Sequence, residues 1–469
     1  MKSAIILAGG MGKRMKSVKP KVLHEVLFKP MIEWVYDAAI KAGIEKICVV
    51  TGYNREMVEA QINGRADCVW QSEQLGTGDA AMRAMDFVRT LNDEDDVLIL
   101  CGDAPLVSSG TISEAYNKAH CGNKNDVTVF TAILSDPTGY GRIINDSKND
   151  DVITDIREEK DATDVERQIK EINGGSYWMK VKAFKMLLPT LKNNNGANEY
   201  YLTDIIKSAN ENGMKAGRYL SGDAGELEGA NDRAQLLSLN EHARDMLFTK
   251  HMLNGVSIID KSGITIGPDA VIDSDTVILP GTILRGKCVI GTGCVIGPNT
   301  LLENAILGDG VTVNSSQIYS SKIGSGTRVG PFSYIRPDCV VGEKVKIGDF
   351  VELKNSTLGD GTSVSHLTYI GDSDFGKKIN VGCGTVTVNY DGRKKYRTKV
   401  GDNAFIGCNT NLVAPVKIGT GAYTAAGSTI TVDVPENSLA IARERQTIKT
   451  DWMIKTRENN KDVPASENI

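Results

Sequence analysis

The chain has 469 residues, of which 41% are hydrophobic and 24% are charged, and its formal net charge is −5. A chain of this length can bury more than one hydrophobic core, so two or more domains are expected. The acidic excess argues against a nucleic-acid partner. Since no apolar run approaches the length of a membrane span or a signal peptide, we expect a cytoplasmic protein with no membrane partner. Nine cysteines, none in a CxxC pair, indicate reduced thiols.

The first half of the chain alternates short β-branched runs with amphipathic stretches. AIILA at residues 4–8 is followed by MIEWVYDAAIKAG at 31–43 and KICVVTGY at 46–53, and the alternation continues to DVLILCGDAPL at 96–106. This pattern is typical of an α/β domain with a largely parallel sheet. Near residues 231–254 the pattern changes to one helical period, which predicts a linking helix.

From Gly255 onward the period of the sequence becomes six residues. Aliphatic side chains recur at this spacing, beginning with Ile266, Ile272, Ile278, Leu284, Ile290 and Ile296. A fixed hexapeptide period predicts a parallel β-helix, in which three units complete one coil. The period breaks between residues 370 and 400, where we expect a loop that leaves the coil. The predicted domains are residues 1–230, the linking helix 231–254, the β-helix 255–441 and a C-terminal tail 442–469.

A glycine-rich segment, LAGG at residues 7–10, follows the first predicted strand and leads to Arg14 and Lys21. Glycines let several backbone N–H groups face one anion, and the two cations add positive charge, so the segment predicts a site for nucleotide phosphates. A solvated turn with two surface cations is the alternative. The segment lacks the GxxxxGK[ST] pattern of a Walker A loop.

Asp103 follows the strand predicted at residues 97–100. The carboxyl ends of parallel strands face the ligand crevice, and a carboxylate there can hold Mg²⁺ against phosphate oxygens. An ordinary turn or capping aspartate is the alternative. Asp103 is therefore the candidate metal ligand.

Two cations occupy equivalent positions of neighbouring coils in the predicted β-helix. Arg336 and Lys354 each follow an aliphatic repeat position and are one full coil apart. Because strands of neighbouring coils lie about 4.8 Å apart, the two cations repel each other unless an anion lies between them. A phosphate is the predicted partner, and two solvated side chains that splay apart are the alternative.

The motifs LAGGMGKRM with KPK, QSEQLGTGDA, CGDAPL, TGYGRI, IREEKDA, EINGGSY, NEYYLTDI and EGANDR occur in the order seen in sugar-1-phosphate nucleotidyltransferases. Joined to a hexapeptide β-helix, the whole chain closely resembles the bifunctional bacterial family of N-acetylglucosamine-1-phosphate uridyltransferases and glucosamine-1-phosphate N-acetyltransferases. The resemblance implies an α/β Rossmann-like domain, a linking helix and a left-handed parallel β-helix. It also implies acetyl transfer from acetyl-CoA to glucosamine 1-phosphate, then uridyl transfer from UTP to N-acetylglucosamine 1-phosphate with release of diphosphate.

The resemblance assigns residues to the uridyltransferase site and implies Mg²⁺ as cofactor and a homotrimer as assembly. Lys21 and Arg14 are the implied catalytic cations, and Asp103 and Asn231 are the implied metal ligands. The residues implied to bind UTP and UDP-N-acetylglucosamine are Leu7, Ala8, Gly9, Gly10, Lys21, Gln71, Gly76, Thr77, Gly141, Glu158, Asn173 and Asn231. The chain departs from the family at Gly9, where alanine is usual, at Cys101, where an aromatic residue is common, and at Gly174, where a hydroxyl residue is common.

The resemblance likewise places His366, the single histidine of the β-helix region, as the general base of acetyl transfer. A neutral imidazole is suited to this task because its ordinary pKa is about 6.5. A structural histidine that fills a corner of the coil through a hydrogen bond is the alternative. Glucosamine 1-phosphate is implied to bind at Arg336, Lys354, Tyr369, Asn380 and Asn389. Acetyl-CoA is implied to bind at Cys383, Asn389, Tyr390, Lys395, Cys408, Ala426 and Arg443, and Cys408 departs from a usual serine.

Three other functions fit parts of the sequence. A γ-class carbonic anhydrase also uses a hexapeptide β-helix, but its zinc needs three histidines and this β-helix has one. A nucleotidyltransferase with a regulatory, non-catalytic β-helix, as in ADP-glucose pyrophosphorylases, stays open and predicts no requirement for His366. A regulatory scaffold resembling subunits of nucleotide exchange factors would lack UTP turnover, and the intact GGMGKRM and GDAP motifs argue against it.

Overall fold

The structure, a computed structural model, describes residues 1–146 and 149–459. Its residues form two compact units, one of Met1–Leu253 with Thr265–Pro268, the other of Asn254–Ile264 with the described chain from Asp269 onward. The predicted linking helix groups with the first unit. The domain limits expected at residues 230, 254 and 441 stay predictions, and residues 460–469 of the predicted tail lie outside the described residues.

The first unit is an α/β domain. Its strands are β1 (Lys2–Ala8), β2 (Glu25–Val26), β3 (Lys29–Pro30), β4 (Lys46–Thr51), β5 (Asp67–Trp70), β6 (Asp96–Cys101), β7 (Val127–Ile133), β8 (Arg142–Asp146), β9 (Asn149–Arg157), β10 (Glu171–Lys180) and β11 (Ala216–Leu220). Its α-helices are α1 (Met31–Lys41), α2 (Arg55–Ile62), α3 (Thr77–Arg83), α4 (Met85–Arg89), α5 (Ser109–Glu114), α6 (Val181–Leu187), α7 (Asp204–Glu211) and α8 (Arg233–Leu253). Shorter helical turns are Lys13–Met15, Lys21–Leu23, Glu166–Gln168, Leu188–Thr190, Ala224–Leu227 and the π-helix Ala115–Cys121.

The main sheet has the strand order β5-β4-β1-β6-β10-β7-β11-β9-β8. The first four strands are parallel, in the order of a doubly wound nucleotide-binding sheet. However, β10 lies antiparallel between β6 and β7, and β8 and β9 are antiparallel to each other. The sheet is therefore mixed rather than largely parallel as predicted. One reason is that β8 and β9 follow each other too closely for the crossover that parallel pairing requires.

The candidate site lies at the carboxyl ends of β1 and β6. Ala4, Ile5 and Ile6 of β1 are fully buried, because helices cover both faces of this part of the sheet. The register pairs Leu7 with Cys101, so the glycine segment after β1 and the residues after β6 reach the same edge. The two motifs therefore converge at one edge of the sheet.

Helix α8 packs on the first unit through one apolar stripe. Leu236, Leu239, Ala243 and Leu247 are buried in a cluster that also contains Met15. The helix predicted from the helical period is confirmed. Because Asn231 comes just before this anchored helix, the packing fixes the backbone that carries its side chain.

The second unit is a parallel β-helix with three flat sheets. The strands of the first sheet are Ser257–Ile258, Val277–Ile278, Val295–Ile296, Thr312–Val313, Arg328–Val329, Lys346–Asp349, Ser363–His366, Asn380–Val381, Phe405–Ile406, Tyr423–Thr424 and Leu439–Ala440. Those of the second are Ile283–Arg285, Leu301–Glu303, Gln317–Tyr319, Tyr334–Ile335, Glu352–Lys354, Tyr369–Gly371, Val386–Val388, Asn411–Val413 and Thr429–Ile430. Those of the third are Val271–Ile272, Val289–Ile290, Ile306–Leu307, Lys322–Ile323, Val340–Val341, Thr357–Leu358, Ser373–Phe375, Thr398–Val400 and Val416–Ile418. A further short strand, Thr265–Ile266, belongs to the first unit.

The six-residue period places one aliphatic side chain of each unit inside the coil. Leu284, Ile290 and Ile296 follow one another around one coil and are fully buried, which confirms the predicted β-helix. After the coil, helix α9 spans Trp452–Asn459. Among the described helices, none combines the length and the apolar character needed to cross a lipid bilayer.

The predicted excursion lies between the strands Val386–Val388 and Thr398–Val400. Tyr390 and Lys395 form an antiparallel bridge within it. At its end, the Arg397 guanidinium donates to both carboxylate oxygens of Asp374, at 2.5 and 3.0 Å, and to the Ser373 carbonyl at 3.1 Å. The loop is therefore tied to the coil rather than free of it.

Candidate functional site

A cavity of about 380 Å³ opens where β1 and β6 end. Its lining includes ten of the predicted residues, namely Leu7, Gly9, Gly10, Arg14, Lys21, Gln71, Gly76, Thr77, Asp103 and Asn231. Glu199, Gln74 and Lys13 also line it and were not predicted. Ala8 is buried in β1 and does not line the cavity. The structure thus brings together most of the predicted phosphate and nucleotide contacts.

Lys21 connects the two predicted metal ligands. Its ammonium donates to the amide oxygen of Asn231 at 2.7 Å and forms an ion pair with the carboxylate of Asp103. The Lys21 side chain is 12% exposed and that of Asp103 is 27% exposed. The carboxylate of Asp103 and the amide oxygen of Asn231 therefore converge on the position of the Lys21 ammonium.

Gln71 is held in place by Asp79, a residue that the sequence analysis missed. The Gln71 amide is buried and donates to Asp79 Oδ2 at 2.8 Å and to the Gly76 carbonyl at 3.1 Å. Arg83 completes the group by binding the other oxygen of Asp79 at 2.9 Å. Because the amide hydrogens point to Asp79, the amide oxygen of Gln71 points away from it. The side chain lies directly over Gly9, so an alanine there would displace Gln71.

Gly141, Glu158 and Asn173 form a second group outside the lining of this cavity. A Cβ placed on Gly141 would lie 3.6 Å from both the Asn173 Cβ and Glu158 Oε1. Thr203, which the sequence analysis missed, donates to Glu158 Oε1 at 3.0 Å. Burial raises the pKa of Glu158 above its ordinary value. Glu158 also lines a neighbouring polar cavity of about 620 Å³.

The structure shows the surroundings of two departures from the family, Cys101 and Gly174. Burial raises the pKa of Cys101 to about 12, and its thiol donates to the Gly175 carbonyl at 3.3 Å, so it is a neutral contact at physiological pH. A Cβ on Gly174 would lie 2.6 Å from the Leu227 side chain and 3.0 Å from the Phe130 carbonyl. A hydroxyl residue at position 174 therefore requires these neighbours to move.

In the β-helix, His366 contacts a carboxylate that the sequence analysis missed. The register pairs Asp349 with His366 in neighbouring coils, and the imidazole Nδ1 lies 2.7 Å from Asp349 Oδ1. This hydrogen bond lowers the pKa of Asp349. Since a carboxylate accepts, Nδ1 is the protonated nitrogen and Nε2 keeps a lone pair. The signal in the sequence is that both residues occupy the same repeat position one coil apart.

The same repeat position continues along one edge of the β-helix. The registers pair Ile347 with Val364, Val364 with Val381, Val381 with Ile406, and Ile406 with Thr424. The residues two positions further on form a column in the order Asp349, His366, Cys383, Cys408 and Ala426. The predicted acetyl-CoA residues of this column therefore follow His366 in successive coils. Arg443 is exposed near the end of this column. Its Cδ lies 3.7 Å from the position that a Cβ on Gly427 would occupy.

Three of the predicted sugar-phosphate residues, Arg336, Lys354 and Tyr369, lie in or directly after strands of the second sheet. Arg336 and Lys354 occupy equivalent positions of neighbouring coils, and Arg336 donates to Glu352 at 3.1 Å. The neighbouring Lys395 ammonium is the main cause of a lowered pKa of Lys354. The Tyr369 ring lies over Gly371, beside Asn389. Asn380 is exposed on the first sheet, and Tyr390 is exposed on the excursion.

Two family models match the chain. The nucleotidyl transferase model matches residues 3–228, and the bacterial transferase hexapeptide model matches residues 269–304, 320–355 and 397–431. The two matches coincide with the α/β unit and the β-helix described above.

Curated relatives named bifunctional protein GlmU match almost the full length. The chain is 49% identical to that of Acetivibrio thermocellus, over 96% of this chain and 97% of the relative. It is 48% identical to that of Caldanaerobacter subterraneus, with coverage of 96% and 97%, and 46% identical to that of Clostridioides difficile, with coverage of 98% of both. Because the matches span both domains, the chain belongs to the GlmU family of bifunctional uridyltransferases and acetyltransferases.

Proposed function

We propose that this bifunctional enzyme performs uridyl transfer at the cavity beyond β1 and β6 and acetyl transfer at the β-helix edge around His366. It acetylates glucosamine 1-phosphate with acetyl-CoA, and it transfers a uridyl group from UTP to N-acetylglucosamine 1-phosphate with release of diphosphate. Two observations carry the assignment of acetyl transfer, namely the contact between Asp349 and His366 and the cluster of Arg336, Lys354 and Lys395 in the same β-helix unit. A β-helix with a purely regulatory role requires neither.

Uridyl transfer needs positioning and charge neutralisation rather than a protein nucleophile. The sugar phosphate oxygen attacks the α-phosphorus of UTP in line with the departing diphosphate. Arg14 and Lys21 line the cavity and reduce the repulsion between the two anions. Gln71, Gly76 and Thr77 are proposed to recognise uracil. Gly76 has a φ of +110° and faces the Tyr200 backbone, so glycine is required there.

Mg²⁺ fits the oxygen atoms of Asp103 and Asn231. Both contact the same ammonium, so they converge closely enough to share one cation, and Mg²⁺ prefers such ligands together with phosphate oxygens. Bound there, the ion would neutralise charge on the phosphates. Lys21 would then turn from these ligands to the substrate phosphates. Gly141, Glu158 and Asn173 are proposed to hold the sugar.

Acetyl transfer requires the amine of glucosamine 1-phosphate to lose a proton before it attacks the thioester. Nε2 of His366 is proposed to receive that proton. Arg336 and Lys354, with Tyr369, Asn380 and Asn389, hold the sugar phosphate. Acetyl-CoA lies along the column of Cys383, Cys408 and Ala426, with Asn389, Tyr390, Lys395 and Arg443 as further contacts.

A homotrimer with cyclic symmetry is proposed as the assembly. The third sheet of the β-helix exposes a mostly apolar row, in which Val271, Val289, Ile306 and Val340 are 54%, 41%, 43% and 49% exposed and Lys322 lies between Ile306 and Val340. Burial of such a row against a second copy is favourable. Light scattering at micromolar concentration is expected to give three times the chain mass, and a monomer that retains acetyl transfer would contradict the proposal.

The deciding experiment incubates the purified protein with glucosamine 1-phosphate, acetyl-CoA, UTP and Mg²⁺ and identifies the products by mass. UDP-N-acetylglucosamine, free CoA and diphosphate are expected. A parallel incubation supplies N-acetylglucosamine 1-phosphate in place of glucosamine 1-phosphate. If that incubation forms the sugar nucleotide but the first one consumes no acetyl-CoA, the β-helix is regulatory. If no UTP is consumed either, both assignments are wrong.

A further inference from the structure

Asp372 is a buried carboxylate next to the cations of the β-helix. Its side chain is 7% exposed, and it lies at a corner where its φ is +47°. Asn355 donates to its Oδ1 at 2.6 Å, and Asn389 donates to its Oδ2 at 2.5 Å. The Lys354 ammonium lies 4.0 Å from the same Oδ2. Two of the three partners are residues proposed to bind substrate.

The contact with Asp372 decides the orientation of the Asn389 amide. An ionised carboxylate only accepts hydrogen bonds, so the NH₂ of Asn389 must face Asp372 and the amide oxygen must face away. Asn389 is 8% exposed, and its backbone carbonyl accepts from the Tyr396 N–H at 2.9 Å. Asp372 therefore fixes the residue at the base of the excursion that carries Tyr390 and Lys395.

Asp372 also supplies negative charge to a crowded group of cations. Lys395 lowers the pKa of Lys354, and Arg336 acts in the same direction, whereas Asp372 opposes them. Burial acts to raise the pKa of Asp372, but hydrogen bonds from Asn355 and Asn389 and the nearby lysines hold it below its ordinary value. Arg397 also faces this carboxylate, and its guanidinium is bound to Asp374. Asp372 thus stays ionised and helps to keep Lys354 charged.

We propose that Asp372 is a positioning residue for acetyl transfer, which orients the Asn389 amide and holds the Lys354 ammonium for the phosphate of glucosamine 1-phosphate. Asp372 itself is buried behind Asn389 and Lys354, so in this proposal it does not touch the substrate. The inference rests on the proposed acetyltransferase site.

The test replaces Asp372 in the full-length protein. The Asp372→Asn variant keeps the size of the side chain but removes the charge, and its amide can donate to Asn389 and so reverse the orientation of that amide. The KM for glucosamine 1-phosphate is expected to rise about 10- to 100-fold, the range for loss of a hydrogen bond to a charged group, while uridyl transfer is unchanged. In a plot of kcat/KM against pH, the alkaline limb, where kcat/KM falls, should move to lower pH. The reason is that Lys354 loses its proton more easily without Asp372.

Two further variants separate positioning from a purely structural role. Asn355→Ala removes a different donor to Asp372 and leaves Asn389 and Lys354 in contact with it, so the KM should change less than threefold. Lys395→Met removes the cation that acidifies Lys354, so the alkaline limb should move to higher pH. An equal loss of activity in the Asn355 and Asp372 variants without a pH shift overturns the inference, as does an unshifted limb in Lys395→Met.

The control for the underlying site is the wild-type enzyme. If wild-type protein releases no CoA, the proposed acetyltransferase site is wrong. If wild-type protein is active and Asp372→Asn has the wild-type KM and pH profile, only the role of Asp372 is wrong. Should Asp372→Asn fail to fold, as judged by circular dichroism and thermal unfolding, the pH shift of Lys395→Met still decides whether these charges are coupled.

Discussion

His366 Nδ1 lies 2.7 Å from Asp349 Oδ1, and the two residues occupy one repeat position in neighbouring coils. The spacing of parallel coils, about 4.8 Å, brings the side chains into hydrogen-bond reach without a special loop. The contact places the proton on Nδ1 and leaves Nε2 free to accept another. Asp349 and His366 thus form an oriented base through the regular stacking of the coils.

Replacement of His366 by alanine should stop acetyl transfer selectively. The kcat is expected to fall about 10²- to 10⁴-fold, which is the usual contribution of a positioned general base. Uridyl transfer and the assembly should be unchanged, since the side chain is exposed and bonded to Asp349. CoA release at saturating substrates from pH 6 to 9 provides the measurement. A variant with the wild-type kcat throughout that range would show that His366 is structural.

Asp349→Asn should lower the acetyl-transfer kcat about 10- to 100-fold, because an amide can donate to Nδ1 and permit the wrong tautomer. The KM for acetyl-CoA should stay within twofold. Asp360→Asn is a matched control, since Asp360 is also exposed and bonds Lys377 at 2.8 Å. Equal effects in the two variants would contradict a specific role for Asp349.

Asp103→Ala should abolish Mg²⁺-dependent UTP turnover and leave acetyl transfer intact. The reason is the loss of the single carboxylate among the proposed metal ligands. Asp37→Ala is the control, because Asp37 also pairs with a lysine, Lys29 at 2.6 Å, but does not line the cavity. Diphosphate release is measured at several Mg²⁺ concentrations. Turnover within about twofold of wild type would show that the metal assignment is wrong.

The local pattern of the sequence predicted the elements but not their long-range partners. Asp103 could be predicted because its position after a strand fixes the edge of the sheet that it faces. Asp349 was missed although it occupies the repeat position of His366 in the preceding coil. Asp79 was missed because its role depends on contacts that appear only after helix α3 packs. The antiparallel position of β10 was missed for a similar reason, since strand composition does not encode the direction of the neighbour.

Thiol alkylation should inhibit acetyl transfer and spare uridyl transfer. Cys408 is exposed and Cys383 is half-buried, and both follow His366 in the column, whereas Cys288, Cys294 and Cys339 are buried. Burial also raises the pKa of these three thiols and of Cys101 in the other cavity, so they react slowly. Cys68 and Cys121 of the first unit are also exposed, but neither lines its cavity. Bound acetyl-CoA should protect the enzyme from N-ethylmaleimide. If the Cys383→Ala, Cys408→Ser double variant remains equally sensitive, other thiols are responsible.

A buried ion-pair network in the first unit should make its stability sensitive to acid. The Asp96 carboxylate accepts from His120 Nε2 at 3.0 Å, from Lys180 at 2.8 Å and from the Tyr116 hydroxyl at 2.9 Å. Although burial acts to raise it, these bonds lower the pKa of Asp96 to about 2. The unfolded chain therefore binds this proton first as the pH falls.

The contribution of this network to the free energy of unfolding should consequently be complete above about pH 4. It should be lost progressively as the pH falls towards about 2. The difference from the ordinary value of 3.8 corresponds to about 2 kcal/mol. Asp96→Asn should lower the free energy of unfolding by about that amount at pH 7 and flatten its slope between pH 4 and 2. Urea unfolding followed by tryptophan fluorescence suits the test, because the ring centroids of Trp178 and His120 lie 6.1 Å apart. Asp86→Asn is the control, because it alters an exposed pair with Arg89, and it should leave the pH dependence of the free energy of unfolding unchanged. If wild type and Asp96→Asn show the same pH dependence between pH 4 and 2, the assignment is wrong.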